Sequence, residues 1–201
     1  MKAMARTKRY DSDTLADRAL NIFWEHGYYA TSMDDLVKFT GVNRHSIYKE
    51  YGGKRGMFIA SFARYQETVV SPAFKQVERS GSDLSDVAGY FEQQISLAEA
   101  GGLPGSGCFV VNSLSEVAPH DEDVMALSLQ HNNRLHTGFV QAINNSCTPS
   151  ASLTTKEIQQ LAETMVVFTS GLWTLSRSVN KASSLRSTAD QFLSLIRSKL
   201  K

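Results

Sequence analysis

The side chains best suited to chemistry lie in the short polar stretch NRHSIYK, which begins at Asn43. Arg44 can form a bidentate pair with guanine, and His45 and Ser46 can donate to or accept from several base edges. Tyr48, in the same stretch, suits the oxygen atoms of backbone phosphates, which fix the register of a protein on DNA without reading its sequence. These residue types predict contact with nucleic acid rather than catalysis.

A second cluster, of His120, His131 and His136 with the acidic residues 121–123, has the residue types of a metal site. Its spacing is poor, because His131 and His136 are five residues apart and do not share a helix face. The acidic residues are better placed to favour the N-terminus of a helix. No nucleophile, base and orienting group occur in a pattern that indicates an active site. We therefore predict no metal, no cofactor and no enzymatic activity.

Four helices are predicted at the front of the chain, because apolar residues recur three and four positions apart and glycines follow the runs. They span Asp13–His26, Ser32–Thr40, Asn43–Tyr51 and Lys54–Val70. Ser32 and Asp35 have the spacing of a capping box, and Asn43 can cap the third helix. Two short helices joined by a tight turn containing glycine have the layout of a helix-turn-helix unit. A plain helical hairpin inside a bundle is the alternative, which the polar NRHS stretch disfavours.

The positive charge of the chain is concentrated near this unit. The whole chain has a formal charge of +1, but residues 1–60 hold ten Lys or Arg against seven Asp or Glu, a net charge of +3. Arg6, Lys8 and Arg9 form a basic N-terminal arm suited to DNA. The predicted DNA-binding residues are Thr31, Ser32, Asn43, Arg44, His45, Ser46, Tyr48, Lys49 and Lys54.

The order of residues in this region carries a family resemblance. The stretch FWEHGYYATSMDDLVKFTGVNRHSIYKEYGGKRGMF, from Phe23 to Phe58, resembles the N-terminal domain of the TetR/AcrR family of transcriptional regulators. The matching residues are Phe23, Gly27, Tyr28, Thr31, Ser32, Leu36, Val37, Gly41, Val42, Ser46, Ile47, Tyr48 and Lys54. The chain departs from the pattern at Asn43, where Ser is usual, and at Tyr51, where Phe is usual. The resemblance implies double-stranded operator DNA as a partner.

Glu50, near the end of the third helix, is the least expected residue of the stretch, because a carboxylate facing phosphates repels them. It can point away from DNA and pair with Lys54, four residues later. It can alternatively accept a hydrogen bond from the amino group of cytosine. Both interpretations remain open.

The whole chain reads as an all-α protein of about nine helices without a convincing strand. The later helices are predicted at Asp83–Glu99, Cys108–Val117, Asp121–Asn145, Lys156–Val179 and Leu185–Leu200. We expect a DNA-binding domain over residues 1–54 and a regulatory domain over 55–201, with the boundary passing through the fourth helix.

The location of the protein is predicted from features that the sequence lacks. No apolar run approaches the roughly 20 residues of a membrane span. The N-terminus has no apolar signal-peptide core, and two cysteines cannot form a disulfide framework. We therefore expect a cytoplasmic protein.

The family resemblance implies a small, often apolar inducer bound among the later helices. Aromatic side chains at helical spacing usually form core, but as a group they suit a mostly apolar pocket. The candidate ligand residues are Phe62, Tyr65, Phe91, Phe109, Asn112, Phe139 and Trp173. The resemblance further implies a homodimer built from the last two helices, at about 156–179 and 185–200, which have long apolar stripes. Such a dimer reads a palindromic operator, and release by the inducer predicts a repressor.

Cys108 supports a different input. It falls at the start of a predicted helix, where backbone N–H groups and the helix dipole favour a thiolate. Some regulators that resemble this chain sense oxidants or electrophiles through a cysteine in a similar setting, although a buried core cysteine is the simpler interpretation. A third class, a small enzyme or ligand carrier with an inactive front domain, would require that no DNA sequence binds.

Overall fold

A computed structural model describes residues 12–148 and 153–201 of the chain. Regular structure within these ranges is entirely helical, which confirms the predicted fold class. Ten α-helices are present there, nine of them eight or more residues long, and no strand accompanies them. The basic arm predicted at Arg6, Lys8 and Arg9 lies outside the described residues.

Most helices begin and end within about three residues of the predicted positions, but the fourth ends at Tyr65 rather than at the predicted Val70, and the short helix Ser71–Phe74 was not predicted. Their bounds are α1 Ser12–His26, α2 Met33–Thr40, α3 Arg44–Tyr51, α4 Lys54–Tyr65, α5 Ser71–Phe74, α6 Leu84–Gly101, α7 Phe109–Glu116, α8 Glu122–Ser146, α9 Thr155–Leu175 and α10 Ala182–Lys199. A π-helical turn at Gln66–Val70 follows α4, and a 3₁₀ turn at Ala118–His120 precedes α8. The predicted end of α9 at Val179 is too late, because the chain turns after Leu175 and the Ser176 hydroxyl donates to the Trp173 carbonyl.

The chain divides into two compact units, a first unit ending at Glu67 and a second unit beginning at Thr68. The sequence placed a domain boundary near residue 55, at the start of α4. Instead the whole of α4 belongs to the first unit, because its apolar face packs on α1. The π-helical turn Gln66–Val70 connects the two units along the chain.

The core of the first unit is aromatic. Phe58 of α4 contacts Phe23 of α1 edge to face, with ring centroids 5.1 Å apart, and Phe62 continues the cluster at 5.7 Å from Phe58. Offset and edge-to-face pairs of this kind add to the stability gained from burial alone. At the other end of the same interface, Arg64 of α4 donates to both carboxylate oxygens of Asp17 at 2.5 and 2.9 Å. This packing fixes α1 and α4 as the frame that carries α2 and α3.

The second unit packs its long helices in pairs, with α8 against α9 and α6 against α10. Phe74 contacts both Tyr90 and Phe139 edge to face, at 5.1 and 5.7 Å. Phe168 of α9 stacks on Phe192 of α10, with centroids 3.7 Å apart and planes within 5°. No helix in the described part of the chain combines the length and hydropathy of a membrane span.

Candidate DNA-binding surface

The two short helices of the surface start where the sequence predicts, because their first turns are capped by side chains. The Ser32 hydroxyl accepts from the Asp35 N–H at 3.1 Å, and the Asp35 carboxylate accepts from the Ser32 N–H at 2.9 Å. The Ser32 side chain and backbone donate to that carboxylate, which lowers the pKa of Asp35. Asn43 caps α3 in the same way, its side-chain oxygen accepting from the Ser46 N–H at 2.9 Å. Both predicted caps are confirmed.

The turn between α2 and α3 is closed by glycine and by a side chain of α1. Gly41 has φ of 71°, in the left-handed region that favours glycine, and its N–H donates to the Val37 carbonyl. Arg18 of α1 donates to the Thr40 carbonyl at 3.0 Å, which satisfies one of the last carbonyls of α2. This contact spans 22 residues, and no local pattern in the sequence signals it.

The other end of α3 is set by a close backbone approach. A Cβ at Gly56 of α4 would lie 1.7 Å from the Tyr51 carbonyl oxygen, so only glycine allows α4 to start this close to the end of α3. Gly52, with φ of 73°, ends α3 and donates to the Tyr48 carbonyl. The orientation of α3 is therefore fixed at both ends by backbone geometry.

The third helix, α3, has a buried apolar face and an exposed polar face, as the recognition helix of a helix-turn-helix requires. Ile47 of α3 is fully buried, together with Leu36 of α2 and Val42 of the turn. The side chains on the opposite face of α3 are exposed, and they are Arg44, His45, Tyr48 and Lys49. The surface thus offers hydrogen-bonding and positively charged groups to solvent while its apolar face holds α3 on the unit.

Arg44 is not isolated on this face. Its Nη2 donates to Oδ1 of Asp34 at 2.6 Å, so the two side chains join α2 to α3. Asp34 is not among the predicted DNA-binding residues. An acidic residue in the first turn of α2 is expected from the helix dipole alone, so nothing in the sequence pattern indicated that Asp34 contacts Arg44, ten residues later.

Two of the predicted phosphate contacts are used inside the protein. Thr31 is buried, and its hydroxyl donates to the Gly27 carbonyl at 2.6 Å. The ammonium of Lys54 donates to the Thr31 carbonyl at 2.8 Å and lies 4.2 Å from the centre of the Tyr28 ring. These two residues link the turn after α1 to the first turn of α4, and in this arrangement neither group points freely to solvent.

The candidate ligand residues are divided between the two units. Phe62 and Tyr65 lie in the first unit, where Tyr65 contacts Trp24 edge to face at 5.0 Å. The other members, in the second unit, are Phe91, Phe109, Asn112, Phe139 and Trp173. The phenylalanines among them are fully buried, and Asn112 donates to the Ser106 carbonyl at 2.8 Å. The predicted set is therefore not one cluster within either unit.

Polar groups do meet inside the second unit. Burial raises the pKa of Tyr90, and the nearby Cys108 raises it further, while a hydrogen bond with Trp173 acts in the opposite direction. His131 is also buried, and this burial, assisted by the charge of Arg134, lowers the pKa of His131 to about 4. Tyr90 was not among the candidate site residues, because an aromatic at helical spacing gives no sign that its hydroxyl faces the interior.

The two cysteines have different surroundings. Cys108 is the N-cap residue of α7 and is buried, and its side chain makes no capping hydrogen bond. Cys147, at the C-cap of α8, is half-buried. No disulfide joins them. Among residues 12–148 and 153–201, no group of three or more His, Cys, Asp or Glu is arranged to hold a metal ion.

Comparison with known proteins agrees with this geometry. Residues 15–61 match the family model for bacterial regulatory proteins of the tetR family. Over 140 residues the chain is 28% identical to the uncharacterized HTH-type transcriptional regulator YezE of Bacillus subtilis, covering 70% of this chain and 72% of YezE. Over 124 residues it is 33% identical to the HTH-type transcriptional repressor ComR of Escherichia coli, covering 61% of this chain and 59% of ComR. The chain thus spans less than two thirds of ComR.

Solved structures share the whole fold. A cysteine mutant of the TetR family transcriptional regulator CifR, complexed with 26-bp double-strand operator DNA, superimposes with a TM-score of 0.79 over 94% of this chain and 98% of CifR, at 19% identity. The helical fold and the capped surface on α2 and α3 define a helix-turn-helix DNA-binding protein. Residues 15–61 therefore have the sequence of a tetR-family DNA-binding domain, and the described chain has the fold of solved TetR family regulators.

Proposed function

We propose that the protein is a homodimeric repressor that binds a palindromic operator and is released by a small-molecule inducer. The observation that carries this proposal is the exposed face of α3, which holds Arg44, His45, Tyr48 and Lys49 opposite a fully buried Ile47. The relative ComR is named a repressor, and CifR was solved with operator DNA. The name of ComR supports repression, and the CifR complex supports binding to operator DNA.

In the proposed complex α3 enters the major groove, with Arg44, His45 and Ser46 at base edges. Tyr48 and Lys49 contact phosphates, as does Ser32 at the start of α2. Asn43 acts by capping α3. Three further residues, Thr31, Lys54 and Tyr28, act by holding the turn that precedes α2.

The outward faces of α9 and α10 support the homodimer. Exposed residues three and four positions apart form one uncharged stripe on each helix. The stripe on α9 consists of Gln160, Thr164, Val167, Gly171 and Leu175, and the stripe on α10 consists of Ser184, Thr188, Gln191, Leu195 and Ser198. A scarcity of charge distinguishes the centre of an interface from ordinary surface. A palindromic operator presents two half-sites about 34–36 Å apart, or a multiple of that distance, and a two-fold pair supplies one recognition helix for each.

The interior of the second unit supports the proposal that the inducer is a small, mostly apolar molecule. Its buried aromatic residues include Phe91 and Phe109, and polar groups are supplied by Tyr90, Trp173 and His131. Such surroundings fit a small, mostly apolar molecule with one or two hydrogen-bonding groups. An inducer that prefers a conformer with displaced recognition helices shifts the population away from DNA.

The experiment that tests DNA binding selects bound sequences from genomic fragments and measures affinity for them by mobility shift at several salt concentrations. Arg44→Ala combined with Lys49→Ala should weaken binding and reduce its salt dependence, because a base contact and a phosphate contact are lost. Lys75→Ala combined with Lys181→Ala removes the same charge from exposed positions of the second unit and should leave both quantities unchanged. Equal affinity of the two double variants would show that the recognition surface is wrongly assigned.

A thiol-based input is the second candidate, favoured by the position of Cys108 at the N-terminus of α7. Mild peroxide or quinone treatment of the protein on its selected operator separates the two inputs. If the thiol is the sensor, wild type is released and Cys108→Ser is not. Equal release of both proteins would exclude the thiol mechanism. Screening metabolites for release of both proteins then identifies a reversible inducer.

A further inference from the structure

Asp34 and Arg44 form an ion pair that is largely exposed to solvent, and this exposure limits its contribution to folding stability. The Arg44 side chain is 54% exposed and that of Asp34 is 85% exposed, although Nη2 and Oδ1 are only 2.6 Å apart. A pair so open to water contributes little to folding stability, because solvent screens it and two flexible side chains must be ordered to form it. The pair therefore calls for an explanation other than folding.

Helix capping does not supply that explanation. The first turn of α2 is already capped by the reciprocal hydrogen bonds of Ser32 and Asp35. Asp34 points instead to α3 and contacts the first residue of that helix. A carboxylate on this surface also opposes DNA binding, because the approaching phosphates are negative. Asp34 is therefore expected to weaken general affinity for DNA, and any benefit it brings to DNA binding must come through its contact with Arg44.

The geometry of the pair leaves Arg44 able to read a base. A guanidinium has five N–H donors in a planar fork. One of those on Nη2 is directed at Asp34 in the described structure, so other donors of the fork remain for guanine O6 and N7. A long arginine side chain loses rotamer freedom when it binds, and a partner that orders it beforehand removes part of that cost.

We propose that Asp34 is a positioning residue for sequence reading, which holds the Arg44 guanidinium in the orientation that pairs with one guanine of the operator. This inference rests on the proposed function. It assigns Asp34 to discrimination between base pairs rather than to affinity for DNA as such. Removing the carboxylate should therefore lower the discrimination between base pairs and raise the general affinity for DNA.

The test compares wild type with Asp34→Asn on three duplexes: the selected operator, the same operator with the guanine read by Arg44 replaced by adenine, and a duplex of unrelated sequence. That guanine is the position whose replacement no longer matters in Arg44→Ala. For wild type, the replacement should weaken binding about tenfold or more, as a bidentate arginine contact implies. Asp34→Asn should lose at least about threefold of this discrimination and bind the unrelated duplex more tightly.

Three controls make the outcome specific. Glu25→Gln removes one exposed negative charge from the same unit and should leave discrimination unchanged. Asp34→Glu keeps the carboxylate and should retain more discrimination than Asp34→Asn. At operator positions that Arg44 does not read, Asp34→Asn should leave discrimination unchanged, since the residue acts through Arg44. Thermal unfolding of each variant checks the fold, and Asp34→Ala serves as the second variant if Asp34→Asn is unstable.

The results that overturn the inference differ from those that overturn the proposed function. If Arg44→Ala weakens operator binding but Asp34→Asn discriminates as well as wild type, Asp34 is not a positioning residue and the recognition surface stands. The same conclusion follows if Asp34→Asn lowers discrimination equally at operator positions that Arg44 does not read. If Arg44→Ala binds the operator as wild type does, the proposed recognition surface itself is wrong.

Discussion

Lys54, in the first turn of α4, donates its ammonium N–H to the carbonyl of Thr31 at 2.8 Å, and Thr31 directly precedes Ser32, the N-cap residue of α2. The same ammonium lies 4.2 Å from the centre of the Tyr28 ring. One positive charge thus satisfies a loop carbonyl and rests on an aromatic face. The contact fixes the position of the chain between α1 and α2, and therefore the position at which α2 starts.

Replacing Lys54 by alanine should destabilise the first unit. A hydrogen bond from a charged group and a cation–π contact are lost together, and their combined value for a half-buried side chain is about 1–2 kcal/mol in the free energy of unfolding. Thermal unfolding followed by circular dichroism should show a transition lowered by several degrees, and operator affinity should fall with it.

Lys49 is the matched comparison for this prediction, because it is a lysine of the same surface that is exposed on α3. Lys49→Ala should leave the unfolding temperature almost unchanged, since exposed substitutions away from special contacts have small effects. Its operator affinity should nevertheless fall, with a salt dependence reduced by about one phosphate contact. If Lys54→Ala shows the same two results as Lys49→Ala, then Lys54 contacts phosphate and its loop contact is unimportant.

The features of this surface that were predicted correctly depend on residues close together in the sequence. The caps at Ser32 and Asn43 follow from residues three positions apart, and each helix bound there agrees with the structure. The contacts that the sequence did not predict join residues farther apart, ten positions for Arg44 with Asp34 and 23 for Lys54 with Thr31. Long charged side chains have many rotamers, so their partners depend on tertiary packing.

The dependence on tertiary packing also explains why the candidate ligand residues include members of both units. Phe62 and Tyr65 were grouped with the later aromatics because helical spacing alone does not say which helix an apolar face will contact. In the structure α4 packs on α1, and Tyr65 contacts Trp24. The all-helical fold was predictable because periodicity persists along whole helices, whereas the pairing of those helices depends on contacts distant in sequence.

Buried His131 should make the second unit sensitive to acid. Its pKa is about 4 in the folded protein, below the ordinary value of 6.5, because burial disfavours the charged imidazolium. The unfolded chain therefore binds more protons between about pH 6.5 and pH 4, so stability falls as the pH decreases through that window. The loss should reach up to about 3 kcal/mol at pH 4, as the shift in pKa implies.

Urea unfolding of wild type and His131→Gln at pH 7 and pH 4.5 measures this effect. Other groups also titrate in this range, and the comparison isolates His131 because the variant shares all of them. The slope of stability against pH should be smaller in His131→Gln. Parallel slopes for the two proteins would mean that the imidazole is charged or accessible in the folded state.

The reactivity of the two cysteines should follow their burial. Cys147 is half-buried, whereas Cys108 is only 5% exposed at the start of α7. With an aromatic disulfide reagent, the native protein should show one faster thiol and one slower thiol, and Cys147→Ser should remove the faster one. Cys108→Ser should remove the slower one. A fast Cys108 in the native protein would indicate an activated thiolate and would strengthen the thiol-based input.

Leu195 and Leu97 provide a matched pair of positions for testing the dimer. Leu195 lies on the uncharged stripe of α10 and is 57% exposed, and Leu97 lies on α6 and is 55% exposed. Because both side chains are open to water in the single chain, a glutamate at either position should be tolerated by the fold. Only at an interface does the added charge lose its hydration, which is costly when no partner compensates it.

Leu195→Glu should therefore convert the proposed dimer to a monomer, whereas Leu97→Glu should leave the dimer intact. Sedimentation equilibrium over a range of protein concentrations measures both. The same change should weaken operator binding strongly, because one recognition helix reads only one half-site and the gain from linking two half-sites is lost. Val167→Glu, on the stripe of α9, should behave as Leu195→Glu does, since both stripes belong to the same proposed interface. Dimerisation unchanged in both stripe variants would place the interface on another face of the second unit.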